Sequence, residues 1–255
     1  MGDLSNRFVK QKRFDAAPIP KFPERNFLLE VTNHCNDKCK FCANKKMTRR
    51  RGFIEPSIVT KVLNEAHALG TREVGFYATG EPLLNKEIFT YIREAKGVGF
   101  DYTYVTTNGA LLDEVACDKL IDAGLDSIKF SINAGTRESY KLIHGRDDFD
   151  TVIKNLKYVS DYRRKNNLKF KLFISFVVTN LTIHEIDDFR AEFSDLVDEI
   201  VFVPVGCQGG MMYENREIML SPEEIHDSNM KTGGGVDRVF ATWCLTRSPS
   251  LAKDI

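Results

Sequence analysis

Between residues 27 and 205 the chain alternates short apolar runs with longer stretches whose apolar side chains recur every three to four positions. The runs 27–33 (FLLEVTN), 73–78 (EVGFYA), 101–106, 126–132, 170–178 (FKLFISFVV) and 198–205 have the length and composition of buried strands. Between them lie helical patterns. The first places Ile58, Val62, Leu63, Ala66 and Leu69 on one face and closes at Gly70. Others cover about 86–96, 112–123 (ending at Gly124), 136–143, 150–166 and 183–194.

Strands that alternate with helices of ten or more residues imply right-handed βαβ crossovers and a parallel sheet. Six such units predict an α/β fold, a partial (β/α)6 barrel of the TIM type, over residues 25–205. Residues 1–24 read as an N-terminal extension. Residues 206–255 change character, with Gly206, Gly209, Gly210 and the run Lys231-Thr232-Gly233-Gly234-Gly235, and read as irregular or linker-like. In parallel barrels the chemistry sits at the carboxyl ends of the strands. The loops beginning near Asn33, Thr79, Thr107 and Asn133 are therefore where functional residues are expected.

Charge narrows the partners. Lys and Arg balance Asp and Glu at 36 each, so no global field recruits nucleic acid or a membrane surface. No apolar run approaches 18 residues, and the polar opening MGDLSNRFVKQKRF lacks the apolar core of a signal peptide, so a cytoplasmic protein is expected. The basic run Lys45, Lys46, Arg49, Arg50 and Arg51 reads as a solvated loop or as a contact for an anionic substrate.

Three of the six cysteines, Cys35, Cys39 and Cys42, fall within eight residues. That spacing is too tight and too odd in number for a disulfide framework and points to metal ligation. Three thiolates hold three irons of a cubane cluster and leave the fourth iron open, whereas a saturated electron carrier needs a fourth cysteine nearby. The alternative is zinc, completed by His34 or a distant cysteine.

The segment Cys35-Asn36-Asp37-Lys38-Cys39-Lys40-Phe41-Cys42 resembles the C-x3-C-x-aromatic-C signature of the radical S-adenosylmethionine superfamily. The resemblance implies a [4Fe–4S] cluster on the three cysteines, with Phe41 against the cofactor's adenine. It further implies an enzyme that reductively cleaves S-adenosylmethionine. The resulting 5′-deoxyadenosyl radical abstracts hydrogen from a small-molecule, sugar or peptide substrate. An external electron donor such as flavodoxin or ferredoxin and sensitivity to air follow from the same likeness.

Further segments extend it. Thr79-Gly80-Glu81-Pro82 is similar to the family's Gly-Gly-Glu-Pro turn, which receives the cofactor's amino group, with Thr79 replacing the first glycine. Thr107 and Asn108 resemble its T-N-G turn. Ser131 and Asn133 stand where the family bonds ribose and carboxylate, and Val178 where it places an apolar residue near the adenine. The segment from Arg137 to Arg146 resembles one that carries an arginine to the cofactor carboxylate; of the two, Arg146 is taken forward. The element pattern is most like members with an additional SPASM or twitch domain, of which only the beginning would be present. Cys207 and Cys244 are read either as early ligands of an auxiliary cluster or as small apolar residues. A non-catalytic zinc or iron–sulfur protein on the same fold is the competing reading.

Overall fold

Residues 26–224 are described by the computed structural model. Six strands run parallel in sequential order and curl into a half-barrel. They are β1 (Asn26–Leu28), β2 (Glu73–Phe76), β3 (Tyr102–Thr107), β4 (Ser127–Ser131), β5 (Lys171–Val178) and β6 (Glu199–Pro204). The crossovers carry α1 (Pro56–Ala68), α2 (Ile88–Val98), α3 (Glu114–Asp122), the pair α4 (Arg137–His144) and α5 (Phe149–Lys165), and α6 (Ile186–Phe193). Every helix and strand read from the sequence is present, with ends shifted by a few residues.

The two residue periods divide the sheet's faces. Alternate strand residues (Val74, Phe76, Val105, Ile128, Phe130, Leu172, Ile174, Phe176) are fully buried against the apolar stripes of the helices. Burying each such side chain stabilises the fold by roughly 1.5–3 kcal/mol. Phe176 meets Phe189 of α6 edge-on at 4.9 Å, a preferred aromatic geometry. The other face carries Tyr102, Tyr104, Thr106, Lys129, Ser131, Ser175 and Val177, which are half-buried on the concave side.

The sequence-based strand 27–33 is where expectation and structure differ most. Ladder pairing in β1 ends at Leu28, because the next residues turn to hold the cysteine loop. Glu30 forms a forked ion pair with Arg49 at 2.7 and 3.1 Å, Thr32 donates its hydroxyl to Gly52 O, and Thr32 makes an isolated antiparallel bridge with Phe53. Residues 206–220, expected to be linker-like, are short 3-10 turns packed against that loop.

Candidate metal centre

The loop between β1 and α1 is docked on the C-terminal end of α4. The last carbonyls of a helix have no intrahelical partners. Here the backbone N–H groups of Lys40 and Lys38 donate to Ile143 O at 2.7 Å and His144 O at 2.9 Å. α4 starts at a reciprocal cap between Thr136 and Ser139 and stops where Gly145 adopts a left-handed conformation, so its end is placed in register with the loop. From the opposite side Asn215 donates to Phe41 O at 3.0 Å and to Gly206 O at 2.8 Å. Gln208 accepts the Ala43 N–H at 2.8 Å.

Clamped in this way, Cys35, Cys39 and Cys42 line one pocket of about 320 Å³ together with His34, Asp37, Lys38, Asn44, Lys45 and Arg51. Burial pushes the Cys35 thiol up to about 12, with the Asp37 and Glu81 carboxylates adding to it. Burial likewise raises Cys39 well above the ordinary thiol range, again with Asp37 contributing. Thiols in such surroundings ionise only when a metal takes the proton's place. Among the described residues the other cysteines lie elsewhere: Cys117 is on the buried face of α3, and the Cys207 thiol rests on Met219. Cys244 falls outside the described residues.

The second loop of the site meets the first through Gly80. A Cβ at this position would lie 2.2 Å from Thr32 O and 2.6 Å from His34 O, so only glycine permits this approach. Next to it the Glu81 N–H donates to His34 O. The Glu81 side chain is buried and accepts from the Thr107 hydroxyl (2.7 Å), the Asn108 N–H (2.8 Å) and the Leu83 N–H (3.0 Å). Burial raises its carboxyl to about 7, against the pull of those three donors. Glu81 is thus the hub that joins the loops after β2 and β3, and Pro82 opens a short 3-10 turn behind it. Asn44 donates to Asn33 O and to Thr79 O, both at 3.0 Å, which ties the turn back to the cysteine loop. Asn108 reaches across to Asn36 Oδ1 at 2.8 Å.

Ser131 faces Ser175 at 3.4 Å on the concave sheet. Asn133 is buried and fully engaged, accepting from Val177 N–H while its two N–H groups reach His144 Nε2. Phe41 packs in a small apolar cluster with Ile143, Val205 and Ile218. Val178 lies in the main core, and the alternation of β5 gives the concave position to Val177. Arg146 pairs with Asp148 at 2.7 Å and leans on Asn36 O at 3.3 Å, whereas Arg137 is held by Asp147 and Asp150. Arg146 is therefore the one of the two that touches the cysteine loop.

Sequence reasoning left out Asp37 and His144. They join Cys39 in a cluster whose potential metal-binding atoms lie within 4.8 Å of one another. The only sequence signals were a carboxylate inside the cysteine motif and a histidine in the segment ending at Arg146.

A parallel half-barrel whose first loop gathers three cysteines around one pocket at the carboxyl ends of the strands defines an α/β protein with a candidate metal centre. The sequence profile of the Radical SAM superfamily matches residues 29–193, and the chain belongs to that superfamily. Its members use a [4Fe–4S] cluster and S-adenosylmethionine. The chain is 32% identical over 201 residues to a probable GTP 3′,8-cyclase of Sulfurisphaera tokodaii, covering 76% of this chain and 61% of that protein. It is 33% identical over 135 residues to another of Pyrococcus horikoshii, covering 53% and 43%. Among solved structures it resembles Streptococcus suis SuiB bound to the precursor peptide SuiA, with a TM-score of 0.61, 19% identity and coverage of 81% of this chain and 46% of that one. The chain thus spans only about half the length of proteins it resembles. No helix among the described residues is long and apolar enough to cross a membrane.

Proposed function

We propose that this chain is the core of a radical S-adenosylmethionine enzyme that abstracts hydrogen from a peptide or small metabolite bound over the concave face of the sheet. The observation that carries the reading is the convergence of Cys35, Cys39 and Cys42 on one pocket that no other described cysteine lines. Three thiolate ligands leave a cubane cluster with one iron open to a further ligand. When bound, the cluster and cofactor supply one-electron reductive cleavage and radical hydrogen abstraction, with the electron coming from a low-potential donor protein such as a flavodoxin or ferredoxin.

The chain's own residues supply placement. The Gly80 approach and the Glu81 hub hold the turn that would face the cofactor's methionine end, and Asn108 and Ser131 stand at the ends of the next two strands. Arg146, already against the loop, is the cation available to a carboxylate. The concave face offers a substrate both apolar and polar contact: Lys129 sits 5.5 Å over the Tyr77 ring, and Tyr104 is fixed by paired hydrogen bonds with Asn26 at 2.9 and 3.1 Å. Cys207, packed on Met219, is assigned a structural role.

His34 also lines the cysteine pocket, stacked on Phe53 at 5.1 Å, and this favours zinc with three cysteines and one histidine as the second reading. Metal analysis after anaerobic purification separates the two. The proposal expects iron and sulfide with brown absorbance, and an electron paramagnetic resonance spectrum of the reduced protein that changes when S-adenosylmethionine is added. Zinc in a colourless protein would contradict it.

A further inference from the structure

Asp37 and His144 stand beside the cysteines but have no place in the assignment above. Asp37 lies between Cys35 and Cys39, and His144 is the last residue of α4. Each side chain is only 1% exposed, and they meet at 2.8 Å through Asp37 Oδ2 and His144 Nδ1.

The surrounding hydrogen bonds identify which ring nitrogen carries the hydrogen. Asn133 Oδ1 accepts the Val177 N–H at 2.8 Å, which leaves the side-chain nitrogen of Asn133 as a donor. That Nδ2 and the Asn133 backbone N–H reach His144 Nε2 at 3.2 and 3.3 Å. With two donors aimed at it, Nε2 is the lone-pair side, so Nδ1 holds the hydrogen and donates to Asp37. Tyr140 stacks flat on the imidazole, 4.0 Å away and 7° from parallel, and prevents the ring from turning.

Asp37 is thus held on one oxygen only. The same Oδ2 is 3.9 Å from Cys39 Sγ and His144 Nδ1 is 3.7 Å from it, while Oδ1 is buried, has no hydrogen-bond partner among the described residues, and belongs to a residue that lines the cysteine pocket. Burying a carboxylate with one oxygen unpartnered costs stability, so the arrangement is not explained as a device for folding.

We infer that the carboxyl group of Asp37, oriented by His144 against the Cys39 sulfur, sets the reduction potential of the cysteine centre. This rests on the cluster reading above. Net charge and hydrogen bonding around the ligating sulfurs govern such potentials. An electronegative oxygen beside the Cys39 sulfur opposes the arrival of another electron and makes the reduced centre a stronger reductant. The step is the one-electron reduction of the bound cluster by an external low-potential donor, and no bond is made or broken in it. Asp37 supplies the oxygen beside the sulfur, and His144 is the positioning residue.

The test compares wild type, Asp37→Asn, His144→Phe and His144→Asn after anaerobic reconstitution, with iron counted and the midpoint potential read by electron paramagnetic resonance during titration with dithionite. Asp37→Asn replaces one carboxyl oxygen with an N–H donor in place. His144→Phe keeps the ring on Tyr140 but removes the donor, and His144→Asn restores an N–H near Nδ1. The inference expects Asp37→Asn and His144→Phe to keep the wild-type iron content, with Asp37→Asn shifted to higher potential, His144→Phe shifted to lower potential because it removes the N–H that offsets Asp37 Oδ2 beside the sulfur, and His144→Asn close to wild type. Unchanged potentials in the first two variants would overturn it, and so would their failure to hold a cluster, which would reduce the pair to a scaffold. A wild-type chain that takes up no iron would instead remove the cluster reading itself.

Discussion

Gly80 and Cys39 show how much of the site depends on single atoms. The atoms a Gly80 methyl would meet are the backbone carbonyls of Thr32 and His34, which cannot swing away as a side chain end can. Gly80→Ala should therefore shift the cysteine loop and cost roughly 1–3 kcal/mol. Urea unfolding of the metal-free protein would register that loss, and the variant should also take up less iron. Cys39→Ala is expected to leave the fold intact and abolish cluster loading. The cysteines, Gly80 and Glu81 were legible in the sequence because ligation and close backbone approach demand particular residue types at particular spacings. The Asp37–His144 pair was not, because its partners lie 107 residues apart and a histidine in a helix looks the same whether it faces water or a carboxylate. Glu81 was legible as an acid at a turn, but its three donors could be seen only once the third strand was placed beside it.

At the scale of elements, hydrophobic period carried most of the fold. Strands β2 to β6 and all six helices emerged from the alternation of runs and stripes. β1 did not emerge with its true length, because FLLEVTN is apolar enough for a strand while its second half is diverted into bonds with the loop. The segment 206–220 was misleading for the opposite reason: its glycines suggest a linker, yet its place is secured by long-range hydrogen bonds that no local pattern reports. Asn215 is the central one. Asn215→Ala would leave Phe41 O and Gly206 O without their side-chain donor, which costs about 1–3 kcal/mol where such groups stay buried. The expected sign is faster amide hydrogen exchange in both residues 206–220 and the cysteine loop, with exchange in the core strands unchanged.

For the molecule as a whole, stability should depend on pH through Asp198, the residue just before β6. Burial pushes its carboxyl up, but the Leu172 N–H, Lys171 and Arg163 outweigh burial and hold it below its ordinary value of 3.8. A carboxylate with a depressed folded-state pKa contributes stability above its unfolded value and loses it as pH falls through the folded one. Asp198→Asn should thus lower the melting temperature at neutral pH, and the gap to wild type should close progressively below about pH 4. Thermal melts across that range would show this, and a constant gap would contradict it. The same global view bears on function. A helix-backed half-barrel gathers three cysteines in one pocket at the loop end of its sheet, and the claim that they serve one radical reaction is open to direct measurement. The reconstituted chain, given dithionite and S-adenosylmethionine without oxygen, should release 5′-deoxyadenosine and methionine, and the Cys39→Ala chain should release neither. A wild-type protein that carries an intact iron–sulfur cluster and still leaves S-adenosylmethionine uncleaved would contradict that claim.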